Sequence, residues 1–214
     1  MIRTLSLIKR LPSLDRKAFR EHYESIHAPL ALPHMPGLLR YVRYHIEEDL
    51  VGEPLFDVVS AFWFRDRAST DAVAEMLENT AAGAAIRADE TRFMDKPGNR
   101  VLTVSERKIV DGEEGDEHAF VFVARPDGVS RFDCSSRIFR DHWPRLVEDA
   151  SSSFALLRDG FPVQGVPLAY DSVMQLSAVS SESISGWADP LSKEGYRVVA
   201  VRTRRYETDL GTIG

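Results

Sequence analysis

The sequence predicts an α+β fold built from two copies of a β-α-β-β-α-β unit. Three observations lead there. Phe19-Arg20-Glu21-His22-Tyr23 has a near-copy at Phe139-Arg140-Asp141-His142-Trp143. An aromatic-Asp pair opens a strand-like run in each half, Phe56-Asp57 in the first and Tyr170-Asp171 in the second. Each half closes on a basic strand-like segment, residues 100–110 and 196–207. A repeat of about half the chain indicates two small domains rather than a stack of short solenoid units.

Residues 2–8 alternate and end at Leu11-Pro12, a strand followed by a turn. Ser13 or Asp15 caps a helix in which Phe19, Tyr23, Ile26 and Leu30 fall at helical spacing, and Pro33 and Pro36-Gly37 stop it. Residues 39–46 read as a strand, with Tyr41, Arg43 and His45 on one face and Val42 and Tyr44 on the other. Residues 47–54 form an acidic turn. The next run, 56–64, is apolar on both faces and belongs in the centre of a sheet. Ser69 or Thr70 caps a second helix with Val73, Met76 and Leu77 inward; 81–91 extends or follows it, and 100–110 is the fourth strand.

Residues 111–117 hold five acidic residues, two glycines and no apolar one, the composition of a solvated linker. The pattern then repeats: strand 119–124, helix 131–149, strands 154–161 and 170–179, helix 182–191 and strand 196–206. Pro144 starts or kinks that first helix. The domains are thus residues 1–110, the linker 111–117 and a diverged repeat at 118–208. Each is a ferredoxin-like split βαβ with one bare sheet face, and packing the two faces together closes an α+β barrel within one chain. A homodimer through outer surfaces stays open.

Hydrophobic content of 43% and charged content of 28% fit a globular protein. A net charge of −6 argues against a general nucleic-acid binder. The lone Cys134 cannot close an internal disulfide, and no apolar run reaches membrane-spanning length. Cytoplasmic location is the expectation, with no membrane partner.

His22, Tyr23 and His27 form the densest titratable cluster. Tyr23 and His27 are four apart and share a helix face with Phe19. An imidazole on such a face can take and return a proton near neutral pH; alternatively these side chains only pack against the sheet. Tyr41, Arg43 and His45 are either a polar wall or a solvent-exposed row. Phe62 and Trp63 point to opposite sides of their strand. His22 and His27 are five apart, a poor metal pair, so no metal is expected. No phosphate loop, dinucleotide fingerprint or nucleophile elbow occurs, so no cofactor is expected. Arg202, Arg204 and Arg205 read as an edge or solvated surface.

Phe19-Arg20-Glu21-His22-Tyr23-x-x-x-His27-Ala28-Pro29-Leu30-Ala31 resembles the first-helix signature of EthD-domain proteins, in the dimeric α+β barrel superfamily. Pro36-Gly37-Leu38-Leu39-Arg40-Tyr41-Val42 with His45 resembles the family's second strand, and Phe56 through Phe64 its third. The second half lacks the His-Ala-Pro-Leu tail and a counterpart of Trp63. The family's enzymes include polyketide cyclases, decarboxylases and cofactor-free anthrone oxygenases, beside accessory proteins of oxidative pathways. The resemblance implies a cofactor-independent enzyme acting on a small aromatic or polyketide-like compound. Its reaction is proton transfer leading to cyclisation, decarboxylation or isomerisation; anthrone-type monooxygenation or non-catalytic ligand holding are the alternatives. It puts His22 and His27 first as catalytic residues, Tyr23 and His45 beside them, and Tyr41, Trp63 and Phe19 against substrate. The diverged second half implies one site, in the first repeat.

Overall fold

The computed structural model describes residues 1–150, 154–162, 169–177 and 180–210. Alternation in the first residues becomes strand β1 (Ile2–Ile8). Asp15 caps α1 (Arg16–His22), its carboxylate accepting from the Ala18 N–H. A five-residue π turn (Tyr23–His27) and α2 (Ala28–Ala31) follow. Then come β2 (Leu38–Val51), β3 (Val58–Phe64), α3 (Arg67–Asn79), α4 (Ala81–Glu90) and β4 (Arg100–Val110). The order recurs in β5 (Glu117–Ala124), α5 (Arg131–Arg137), a second π turn (Ile138–His142), α6 (Trp143–Ala150), β6 (Ala155–Pro162), β7 (Ser172–Ser177), α7 (Ser181–Lys193) and β8 (Arg197–Glu207).

The fold is mixed α+β. Its strands hydrogen-bond in the order β1-β3-β2-β8-β5-β7-β6-β4, a closed antiparallel barrel, so they form one continuous ladder where two facing sheets were expected. β8 lies between β2 and β5 and is no edge. Its arginines are paired: Arg202 with Glu48 at 3.1 Å, Arg204 with Glu117 and Arg205 with Glu114.

The chain divides into two compact units: Met1–His45, Leu55–Val101 and Tyr206–Gly214 in the first, Ile46–Pro54 and Leu102–Arg205 in the second. In the first, β3 pairs antiparallel with β1 (Ser6↔Ser60) and with β2 (Arg43↔Ser60). Phe19, Tyr23, Tyr41, Val58 and Phe93 form its core under α1. Asp57 accepts from the Arg10 backbone N–H and Nε, both at 3.0 Å, tying the start of β3 to the end of β1. In the second unit, Trp143 stacks on Trp187 at 4.7 Å and donates to Ser172, while Trp187 donates to the His142 carbonyl. Asp171 holds the Arg125 N–H at 2.9 Å and its guanidinium at 3.2 Å, as Asp57 holds Arg10.

Several local expectations need correction. Residues 47–51 are strand, not turn; β2 ends only at Gly52, whose positive φ of 65° suits glycine and where a Cβ would meet the Val198 carbonyl. Asp66, not Ser69 or Thr70, caps α3, which buries no residue completely. Thr80 ends α3 and caps α4, its hydroxyl accepting from Gly83 and donating to Met76. Pro144 falls second in α6, straight after the π turn. α7 runs through Pro190 to Lys193, longer than expected. The expected strand end at Ala178-Val179 lies outside the described residues.

Candidate active site

The site begins with the π turn. Its closing bond runs from the Ala28 N–H to the Tyr23 carbonyl, one residue wider than an α turn. The extra residue keeps Tyr23, His27 and Ala28 all on the inner face, and turns Ile26, expected inward, out to 48% exposure. It also sends Glu24 inward from a position that regular helical spacing puts on the outer side.

Glu24 gathers the buried polar residues of β2. Its Oε1 accepts from His45 Nε2 at 2.7 Å and from Arg43 Nε at 3.1 Å, and its Oε2 accepts from the Arg43 NH2 group. The third arm of Arg43, NH1, donates to Thr208 Oγ1 at 2.8 Å. Residues 41–46 are buried on both faces, so Tyr41, Arg43 and His45 form an interior wall, not a solvent-exposed row. Burial pushes the Glu24 carboxyl up, yet the hydrogen bonds from His45 and Arg43 outweigh it and hold Glu24 low and ionised. Burial depresses His45 below its ordinary value, against the pull of Glu24. A neutral His45 beside an ionised Glu24 must carry its proton on Nε2. Nδ1 is then an unprotonated nitrogen on a ring 2% exposed, without a hydrogen-bond partner among the described residues.

Three hydroxyls lie on the same side of β3. The Tyr23 phenol meets that of Tyr41 at 2.8 Å and Ser60 Oγ at 3.0 Å. Burial raises both phenols, Tyr41 well above 10, so they stay protonated donors at neutral pH. The Tyr23 ring centroid is 5.5 Å from His45 and 5.2 Å from His27. Phe19 packs edge-on against Tyr23 and His45.

His22 and His27 have a different environment. His22 Nε2 donates to Asp89 Oδ1 at 2.9 Å and His27 Nδ1 to Asp89 Oδ2 at 3.0 Å, so one carboxylate from α4 clamps both imidazoles. Phe93 lies against both rings, stacked on His22 at 4.5 Å. Burial lowers His27 despite the Asp89 bond. The two rings point at one carboxylate rather than at a shared open point. Among the described residues no three His, Cys, Asp or Glu side chains converge as a metal set. Trp63 stands apart: Phe62, not Trp63, stacks on Tyr41 at 4.5 Å, and Trp63 faces the opposite side of β3 under the Arg40 guanidinium. Ser60, Glu24, Asp89 and Thr208 were absent from the expected set. None of the four carried a sequence signal; helical spacing puts Glu24 on the outer side.

A cleft of about 420 Å³ opens in this unit at Leu39, Arg40 and residues 207–210. Thr208, the residue bonded to Arg43, is part of its lining.

Comparison with known proteins gives the following. The EthD domain model matches residues 11–97. No curated protein matches the sequence. An anthrone oxidase-like protein superposes with a TM-score of 0.62 at 10% identity, covering 96% of this chain and 92% of its own. A chlorite dismutase from Candidatus Nitrospira defluvii superposes with a TM-score of 0.52 at 10% identity, over 99% and 92%. An EthD family protein from Bacillus halodurans is 28% identical, over 54% of this chain and 100% of its own, with a TM-score of 0.35. The two better superpositions place the chain among α+β barrels. Among the described residues no helix is long and apolar enough to cross a membrane.

Proposed function

We propose that this protein, whose residues 11–97 match the EthD domain model, deprotonates a small phenolic or enolisable aromatic compound and commits the resulting carbanion to oxidation by O₂. The observation that carries this is the bare, buried Nδ1 of His45, backed by Glu24 on the other ring nitrogen. His45 is the general base. It takes a proton from the substrate carbon or phenol at Nδ1, and the Glu24 carboxylate, 2.7 Å from Nε2, stabilises the imidazolium that forms. Of the paired phenols of Tyr23 and Tyr41, the one that accepts from the other keeps its proton for the substrate oxygen on which negative charge develops. The carbanion reduces O₂: a CH₂ group becomes a carbonyl, one oxygen atom stays, and the other leaves as water with the two hydrogens.

Similarity to an anthrone oxidase-like protein supports the oxidative outcome. The cyclisation, decarboxylation or isomerisation expected from the sequence gains no support from these comparisons. In this reading His22 and His27 act through Asp89 to hold the π turn that aims Glu24. The chain is two diverged ferredoxin-like repeats, 1–110 and 118–208 around the linker, in keeping with the repeated π turn and the matched Asp57 and Asp171 contacts. We place the protein in the cytoplasm, in keeping with a single buried, unpaired Cys134.

The test is oxygen uptake with an anthrone or a similar activated phenol, for the wild type and His45→Gln. Loss of about 10²–10⁴-fold in kcat/KM with retained fold is expected. Full activity of His45→Gln removes the assignment. A ligand bound equally by both proteins without turnover identifies a carrier instead.

A further inference from the structure

The end of β8 and residues 208–210 lie against the site from the cleft side. Glu207 chelates Arg40 with contacts of 2.8 and 3.3 Å, Thr208 accepts from Arg43 NH1, and Leu210 packs on the core formed by Phe19, Tyr23 and Tyr41. A continuous chain of hydrogen bonds therefore runs inward from the cleft lining: Thr208 to Arg43, Arg43 to Glu24, Glu24 to His45.

Arg43 is 3% exposed, and its guanidinium face covers the Tyr41 ring at 4.7 Å. A buried cation needs every donor satisfied, because an unmet charged donor carries most of its desolvation cost. Two of its nitrogens go to Glu24; Thr208 Oγ1 is the acceptor for the third. Without that oxygen the guanidinium shifts toward water on the cleft side. Its grip on Glu24 weakens as it goes. The charged and titratable groups facing His45 are Glu24 from the π turn, Arg20 from α1, Arg43 from its own strand, and the phenols of Tyr23 and Tyr206. Withdrawing Arg43 removes a cation that opposes protonation and leaves Glu24 to bond His45 alone.

We infer that Thr208 is a positioning residue of the base: from the cleft lining it locks Arg43 onto Glu24, and so fixes the His45 tautomer that leaves Nδ1 open. This rests on His45 being the base of the proposed reaction. A molecule occupying the cleft touches Thr208 and reaches the base through three hydrogen bonds, so the C-terminal segment belongs to the site.

Thr208→Val keeps the shape and removes the acceptor; Thr208→Ser restores it. Two readouts decide: the pH profile of kcat/KM, and an imidazole ¹⁵N NMR titration of His45, which needs no turnover. For Thr208→Val we expect about a tenfold loss of kcat/KM, the scale of one hydrogen bond to a charged group. The acid limb and the His45 titration should both move to higher pH, and Thr208→Ser should restore both. A Val variant whose His45 titrates as in wild type, or lower, overturns the inference, as does a Ser variant that behaves like Val. If His45→Gln keeps full activity while Thr208→Val still moves the titration, the base assignment fails and the coupling stands.

Discussion

Asp89 accepts from His22 and His27 together, so removing it strands two imidazoles at once. Asp89→Ala should cost on the order of 3 kcal/mol in urea unfolding, mostly from the buried His27 donor. His142 offers a contrast. It is only partly buried, and its ring lies edge-on to Trp187 at 6.4 Å without a carboxylate hydrogen-bond partner among the described residues. His27→Ala should therefore lower kcat/KM well beyond His142→Ala; equal losses, measured on variants of matched stability, would mean that both halves kept a site. His45 sets the pH dependence. A base works when neutral, and burial lowers His45 below its ordinary value of 6.5. Activity should thus persist below pH 6.5 and fall only as pH drops through the lowered value, which a kcat/KM profile reads directly.

Two elements carry one residue more than an α turn needs, and both sit in the repeated Phe-Arg-acidic-His segment or directly beside it. In the first unit that residue decides the site, since it lets Glu24, Tyr23 and His27 face inward together. Ser25 and Ile26 are exposed. Deleting Ser25 should convert the π turn to an α turn and rotate everything after it by about one residue, roughly 100° on an α-helix. His27 would leave Asp89, and the wide turn that aims Glu24 at His45 would be lost. The expected result is a lower Tm and lost activity, whereas Ser25→Ala leaves both near wild type. An active deletion variant would show that the wide turn is incidental. Repeated aromatic-acidic patterns located both helices in the sequence; the extra residue was illegible, because regular periodicity assigns Ile26 inward and Glu24 outward.

Across the whole chain, burial lowers His27, His45, His118 and His142, so stability must depend on acid. His118 is the clearest case. It is 1% exposed, bonded to the Gly115 carbonyl and to Gln175 beside the buried Arg158–Glu106 pair, and is pushed down to about 4. With a folded value below the unfolded 6.5, its contribution is present above pH 6.5 and lost as pH falls toward 4. The loss is on the order of 3 kcal/mol. His118→Gln should flatten the stability curve over that window; an unchanged slope would show that His118 is not held neutral.

Element order was legible in the sequence. Strand alternation, proline stops and the Phe56-Asp57 and Tyr170-Asp171 pairs are local signals, set by backbone geometry within a few residues. So was the cluster on the first helix: Phe19, Tyr23 and His27 are buried as their spacing requires. The tertiary structure alone decided the partners. Glu24 and His45 meet across 21 positions, His27 and Asp89 across 62, and Arg43 and Thr208 across 165. Such contacts depend on strand register and on the one-residue widening of a helix, quantities that residue types and spacing do not encode. The same holds for faces. Whether Tyr41, Arg43 and His45 look inward, and whether Phe62 or Trp63 shares their side, turns on what covers each side of a strand, and the period of two is identical either way.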